Sequence, residues 1–183
     1  WVRGYGDINT DRAQDIGVDN SGNVLVAGFF NNTVDFGVAT ATSTGKGDVF
    51  TLSIAGGTGT EQWIQTFGGT DRDQATTVGV DSTSGNVAVG GYVTGSVANF
   101  PGGAVTGGGS GDSFFIVYSP LGATLFSQVD GGPSLDVSLG VGYGSSGIAY
   151  GGYFSGTVDF NSDGTNTVST AGSRDVFVSK RAP

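Results

Sequence analysis

One pattern of residues recurs three times along this chain of 183 residues, with a period of about 63 residues. The copies begin at Trp1, Trp63 and Phe126. Each continues through a short apolar triplet, an apolar run that contains a glycine, and an Asp-x-Phe motif. A repeat of this length is one supersecondary unit, which buries its apolar surface against its neighbours. We therefore expect three modules, with the boundaries 1–62, 63–125 and 126–183.

Several marks align the three copies. The apolar triplets are Ile16-Gly17-Val18, Val78-Gly79-Val80 and Leu139-Gly140-Val141. The glycines of the apolar runs are Gly28, Gly91 and Gly152. The third copy departs from the other two, because Phe126 replaces Trp, Asp130 interrupts an aromatic-Gly-Gly sequence, and Gly142 stands where the others have Asp. This copy is expected to be a divergent or terminal module.

The distribution of apolar and turn-forming residues predicts an all-β chain. In the first copy it predicts strands at 13–19, 23–30, 48–54 and 62–67, with a Thr-rich loop at 37–47. The sequence Asp19-Asn20-Ser21-Gly22-Asn23 is typical of a hairpin turn, since Asn and Gly tolerate a positive φ. Strong helix formers are scarce: Gly occurs 36 times and Glu only once. We therefore expect essentially no helix.

Four short strands per repeat are typical of β-propeller blades, whereas the coils of a parallel β-helix are shorter than this repeat. We expect three four-stranded antiparallel blades, completed to about six blades by a second chain or by a longer parent chain. The chain is predicted to begin with a fourth strand, Trp1–Tyr5, whose own blade is absent upstream. It is predicted to end with a third strand, Asp175–Lys180, so that the two ends are complementary.

The repeat resembles the SBBP-type bacterial β-propeller repeat over nearly the whole chain. The resemblance is carried by the tryptophan starts, by Val18-Asp19 and Val80-Asp81, by Ser21-Gly22-Asn23 and Ser84-Gly85-Asn86, and by the aspartates of the Asp-x-Phe motifs. It implies a propeller fold. It also implies a secreted or cell-surface location in a bacterium, because such repeats are typical of extracellular bacterial proteins. The resemblance is specific for fold and says little about function.

Charge and missing residue types exclude several functions. Sixteen acidic residues against seven basic ones give a net charge of −9, which repels nucleic-acid phosphates and anionic membranes. No apolar run approaches the roughly 20 residues that span a bilayer, so membrane insertion is not expected. The chain has no Cys and no His, which excludes His-dependent nucleophile pairs and thiolate or imidazole metal sites.

Two sets of residues are candidates for ligand binding. The first is the aspartates that occur once per repeat, namely Asp48, Asp112 and Asp175. They are candidates for repeated ligand or cation sites, and the alternative is that each one caps a turn before a buried strand. The second set is Trp1 and Trp63, whose flat rings suit stacking on a sugar. Packing between neighbouring blades is the alternative for the tryptophans.

One short segment resembles half of a calcium loop. Asp159, Asn161 and Asp163 are followed by Gly164 in the spacing that begins such a loop. The twelfth position of an EF-hand requires a bidentate Glu, but here it is Thr170, and no flanking helices are predicted. Calcium in a β-loop is therefore the only cofactor that the sequence suggests.

These observations favour a non-enzymatic extracellular binding module, either lectin-like or protein-binding through its blade loops. Repeated weak sites would gain from multivalency. A purely structural surface or assembly component is the alternative. A glycoside hydrolase is a distant third, because a pair of carboxylates suffices for that chemistry but no spacing singles one out. The expected partners are a second copy joined head to tail by strand exchange, further blades of a longer chain, and a glycan or surface protein.

Overall fold

The computed structural model describes residues 1–160 and 165–181, and this part of the chain folds into β-strands without a helix. The first repeat contains β1 (Arg12–Val18), β2 (Val24–Phe30), β3 (Thr33–Asp35), β4 (Thr40–Thr42), β5 (Asp48–Ile54) and β6 (Glu61–Phe67). The second contains β7 (Gln74–Val80), β8 (Val87–Val93), β9 (Ser96–Val97), β10 (Val105–Thr106), β11 (Asp112–Tyr118) and β12 (Thr124–Asp130). The third contains β13 (Val137–Gly144), β14 (Gly147–Phe154), β15 (Thr157–Asp159), β16 (Thr167–Ser169) and β17 (Asp175–Arg181). No helix in the described residues could cross a membrane.

The described residues form three larger antiparallel sheets, one for each repeat, and three two-stranded hairpins. Sheet I has the strand order β1-β2-β5-β6, sheet II has β7-β8-β11-β12, and sheet III has β13-β14-β17. The prediction of an all-β fold is confirmed, and the four main strands of the first repeat end within a residue of their predicted bounds. Each sequence repeat begins inside the last strand of the preceding sheet, because Trp63 lies in β6 and Phe126 lies in β12. The sheets are therefore offset from the module boundaries drawn on the sequence.

Two details of the predicted strands are wrong. Residues 37–47 are not entirely a loop, since β4 pairs with β3 in a small separate hairpin, and β9–β10 and β15–β16 form the matching hairpins of the other repeats. Sheet III has three strands in the described residues, as predicted for a chain whose last blade ends with its third strand, Asp175–Lys180, whereas Trp1–Tyr5 is not a strand. A strand is stabilised by hydrogen bonds to a neighbouring strand. Residues 1–5 have no such neighbour in the described part of the chain.

The register of sheet III corrects the alignment of the third repeat. Gly28, Gly91 and Gly152 pair with Ala13, Ala75 and Ser138, and in every sheet a bulge follows that position. The counterpart of Ile16-Gly17-Val18 is therefore Val141-Gly142-Tyr143, and not the predicted triplet at 139–141. In this alignment Gly144 occupies the position of Asp19 and Asp81. It pairs with Gly147 across a tight hairpin. This hairpin needs no aspartate to cap a longer turn.

The sheets pack in the order I, II, III, and β7 contacts both β1 and β13. The core between sheets I and II includes Leu25, Val49, Trp63, Val89 and Phe114. The core between sheets II and III includes Phe115, Val117, Tyr150 and Phe177. Along β5 and β11, alternate side chains face opposite neighbours, so both strands are buried throughout.

Candidate functional site

The three Asp-x-Phe carboxylates each close a turn. Oδ2 of Asp48 accepts a hydrogen bond from the backbone N–H of Thr44 (3.0 Å), Asp112 accepts from Gly108 (2.6 Å), and Asp175 accepts from Ala171 (2.8 Å). Asp48 and Asp112 are buried, and Asp175 is half-buried. This repeated contact with the residue four positions earlier favours the turn-capping interpretation of these aspartates over a ligand site.

A second series of aspartates has the same periodicity but was not singled out in the sequence. Asp11, Asp73 and Asp136 each accept one N–H from four residues earlier, namely from Asp7, Gly69 and Gly132. With the other oxygen they accept the N–H of Asn31, Thr94 and Ser155, over 2.9, 2.7 and 2.9 Å. Each of these carboxylates therefore ties the start of its sheet to the end of the second strand. Their recurrence at the repeat spacing was the signal that could have found them.

The two series meet where consecutive sheets join. The backbone N–H of Asp73 donates to the carbonyl oxygen of Gly47, beside Asp48, and Asp136 donates to Gly111, beside Asp112, each over 2.8 Å. The members of each pair are close enough for their charges to interact. Each junction thus buries two carboxyl groups in one small region.

Burial is the main influence on the acidity of these groups. It raises the pKa of Asp73 to about 6 and that of Asp112 to about 6, and the charge of the other carboxylate in each pair adds to the effect. Burial also raises the pKa of Asp48 and Asp136, although backbone N–H donors partly oppose it. Oδ1 of Asp48 and Oδ1 of Asp112 are buried and have no hydrogen-bond partner among the described residues. An uncompensated buried carboxylate oxygen favours the protonated form of the group.

Within residues 1–160 and 165–181, no group of three or more His, Cys, Asp or Glu side chains is placed to hold a metal ion. Of the predicted calcium ligands, Asp159 is the last residue of β15. Asn161 and Asp163 lie outside the described residues. The calcium site therefore stays a prediction.

The tryptophans lie where neighbouring sheets pack. Trp63 is 9% exposed, and its indole N–H donates to the carbonyl oxygen of Pro120 over 2.9 Å. Its ring covers Gly122 so closely that a side chain there would collide with it. The ring faces of Trp63 are therefore occupied by protein, which favours the packing interpretation over a sugar-stacking platform.

Trp1 makes the same contacts on sheet I that Trp63 makes on sheet II. Its indole N–H donates to the carbonyl oxygen of Gly56 over 2.7 Å, and its ring covers Gly59. The segment that follows also matches, because Tyr5 packs beside Phe36 as Phe67 packs beside Phe100. We call residues 1–7 the head segment. It occupies the place that residues 63–69 occupy one sheet further along.

The two ends of the stack expose apolar side chains that are buried inside it. On β17, Val176 is 79% exposed and Val178 is 78% exposed, whereas Val49, the counterpart of Val176 on β5, is fully buried. On β1, Ile16 and Val18 are each 63% exposed. We call the β17 side of sheet III the tail face and the β1 side of sheet I the head face. These faces do not follow from the amino-acid sequence, because the sequence does not show which valines a neighbouring sheet covers.

A cavity of about 520 Å³ lies between sheets II and III, at the end of β17. It is lined by Phe115, Phe126, Tyr143 and Arg181, among others. Phe126 has the position of Trp63 in the repeat but is 42% exposed. Trp63 is covered by the β11–β12 turn, and sheet III has no corresponding turn in its described residues. The cavity is thus part of the incomplete edge of sheet III.

No family model matches the chain, and no curated protein matches it at a significant level. The likeness to the SBBP-type repeat therefore rests on the residue pattern alone.

Proposed function

We propose that this chain is a non-enzymatic interaction module, built from blades of the β-propeller type, which binds further modules of the same type through its head and tail faces. The finer architecture is supported by the strand order within each sheet and by the contacts that β7 makes with β1 and β13. In a propeller, the first strand of each blade lies nearest the centre and meets the first strands of its neighbours. The SBBP-type resemblance supports the same fold and a secreted or cell-surface location in a bacterium.

The observation that carries this proposal is the exposure of apolar residues at the two ends of the stack. Val176 and Val178 occupy positions that are fully buried on β5 and almost fully buried on β11. Exposed apolar patches on a folded chain mark interaction surfaces. Because both faces have the composition of an internal junction, a surface like a neighbouring sheet is the partner they fit best.

Glycan binding has less support than protein binding. The ring of Trp63 is buried, that of Trp1 lies against Gly59, and the repeated aspartates hold backbone N–H groups. Catalysis has still less support, since the chain lacks His and Cys. The paired carboxyl groups at the sheet junctions are buried, with Asp48 2%, Asp73 0%, Asp112 5% and Asp136 0% exposed.

Sedimentation velocity at micromolar concentrations tests the proposal. The wild-type chain should associate, and the variants Val176→Lys/Val178→Lys and Ile16→Lys/Val18→Lys should shift towards the monomer, since each places two charges in an apolar contact. Leu121→Lys is the matched control, because Leu121 is 87% exposed but lies on neither face. A wild-type chain that stays monomeric, or association that the face variants leave unchanged, would refute the proposal.

Strong signals on a glycan array that the face variants retain would favour the lectin-like alternative.

A further inference from the structure

The head segment has the position of a strand without having a strand's neighbour. Residues 63–67 do two things: they pack on sheet II, and as part of β6 they pair with β5. Residues 1–5 make the first set of contacts, through Trp1 and Tyr5 on sheet I. Arg3 adds a third contact, donating from Nε to the carbonyl oxygen of Gly59 over 2.8 Å, as Gln65 donates to Gly122 over 2.9 Å. Residues 1–5 do not make the second kind of contact, which is backbone pairing with a strand of the described residues.

β17 is the complementary half of the missing pair. It corresponds to β5, since Asp175-Val176-Phe177 repeats Asp48-Val49-Phe50. β5 has β2 on one side and β6 on the other, whereas β17 has β14 as its only strand neighbour in the described part of the chain. An unpaired strand edge is a template for another strand.

We propose that the head segment of one copy adds as the fourth strand to β17 of a second copy, so that chains assemble head to tail. This inference rests on the proposed function and names its partner and its geometry. The register follows from the β5–β6 pairing, in which Val49 faces Phe67, Thr51 faces Gln65 and Leu52 faces Ile64. Shifted by one repeat, Val176 of one copy faces Tyr5 of the next, Val178 faces Arg3, and Ser179 faces Val2.

A second copy fits this place because the chain carries both halves of the junction at opposite ends of its stack of sheets. The head segment lies on sheet I, and β17 lies on sheet III. Strand addition would bring Val176 and Val178 against Ile16 and Val18 of the neighbour, so two exposed apolar faces would be buried together. Each copy brings three sheets, and two junctions would close two copies into a ring of about six blades, a size within the usual range for propellers. Such an assembly is heterologous at each junction and closed by a twofold axis.

Disulfide trapping tests the register directly, because the chain has no native cysteine. Oxidation of the double variant Val2→Cys/Ser179→Cys should give a covalent dimer that reducing agent dissolves. Mixing the two single variants should give one cross-linked heterodimer. The matched control is Ile8→Cys/Ser179→Cys, which pairs the tail with a residue that is 95% exposed and outside the predicted register. It should stay largely uncross-linked.

Circular dichroism spectra and melting temperatures of the reduced variants must match those of the wild type, so that unfolding does not explain a negative result. An intrachain disulfide, or a double variant that cross-links no better than the control, overturns the proposed strand addition. If the same samples still associate in sedimentation and the face variants still weaken that association, the proposed function stands and only the register and geometry are wrong. If no association occurs at all, both are wrong.

Deletion of residues 1–6 is a second test of the strand addition. The deleted chain should no longer form a dimer with itself, because it lacks the head segment. It should still bind an intact chain, because its tail face can pair with the head segment of that chain.

Discussion

Asp73 donates its backbone N–H to the carbonyl oxygen of Gly47 over 2.8 Å, and this bond ties sheet II to sheet I directly beside the buried carboxyl group of Asp48. The same arrangement recurs between sheets II and III, where Asp136 bonds Gly111 beside Asp112. The junctions thus have a buried carboxyl pair at one end, and their apolar packing is interrupted by further hydrogen bonds, such as the one between the hydroxyls of Ser113 and Ser138 over 2.7 Å.

The buried carboxyl groups make stability depend on pH. Burial raises the pKa of Asp73 and of Asp112 to about 6. A carboxyl whose pKa is higher in the folded state binds more protons there, so it contributes stability at low pH that is lost as the pH rises through about 6. We expect each group to lower the free energy of unfolding by about 1 kcal/mol between pH 5 and pH 7.5. Glu61 and Asp81 have lowered pKa values, so their contributions change below this range.

Urea denaturation at the two pH values measures this dependence. The variant Asp112→Asn should lose a measurable part of it, because the amide keeps an acceptor for the N–H of Gly108 but cannot ionise. Asp35→Asn is a suitable control for the loss of one negative charge, because Asp35 is exposed at the end of β3 and belongs to neither junction pair. A wild-type protein that is more stable at pH 7.5 than at pH 5 would contradict the prediction.

The glycine of each apolar run is required by close packing. A Cβ on Gly91 would overlap the carbonyl oxygen of Gln74, and Gly28 and Gly152 have the same relation to Arg12 and Val137. We expect Gly91→Ala to lower the free energy of unfolding by about 3 kcal/mol, at the upper end of overpacking effects. Gly140→Ala is the control, since nothing lies within 4 Å of its Cβ position. That substitution should change the free energy of unfolding by less than about 0.5 kcal/mol.

The two tryptophans should differ in what they contribute to stability, although their contacts match. Trp63 is buried in the core between sheets I and II, so Trp63→Ala should lower the free energy of unfolding by about 3–5 kcal/mol. Trp1 is 55% exposed and has one sheet to pack on, so Trp1→Ala should have a much smaller effect on unfolding. Chemical denaturation followed by circular dichroism compares the two without relying on tryptophan fluorescence. Equal losses would show that the head segment is part of the core of the isolated chain.

Trp1 should matter more for the association of chains than for the stability of the isolated chain. Trp1 anchors the head segment on sheet I, so Trp1→Ala should weaken head-to-tail assembly even where the chain remains folded. Val38→Ala, at an exposed residue away from both faces, is the control. Sedimentation velocity on both variants decides the point, and unchanged association of Trp1→Ala would argue that the head segment does not position the added strand.

Much of the fold followed from recurrence. Runs of apolar and β-branched residues between turn residues located β2 and β5, and the turn at Asp19–Asn23 located the β1–β2 hairpin. The small hairpin β3–β4 was missed because its strands have only three residues each, which is too short for a period of two to stand out. The third repeat was misaligned because two overlapping triplets, Leu139-Gly140-Val141 and Val141-Gly142-Tyr143, both fit the apolar-Gly-apolar pattern. Only the pairing of β13 with β14 decides between them.

The all-β character of the chain and its three repeats follow from the amino-acid sequence, because turn residues and β-branched residues act locally and recur at a fixed spacing. The sequence also located the Asp-x-Phe carboxylates, but not what they do. That Asp48 caps a turn, that Trp63 is buried, and that Val176 and Val178 are exposed follows from the packing of the sheets. Burial depends on which sheet lies opposite a residue, and that is not a local property. Val49 and Val176 each stand between Asp and Phe, yet Val49 is buried under a neighbouring sheet and Val176 is 79% exposed.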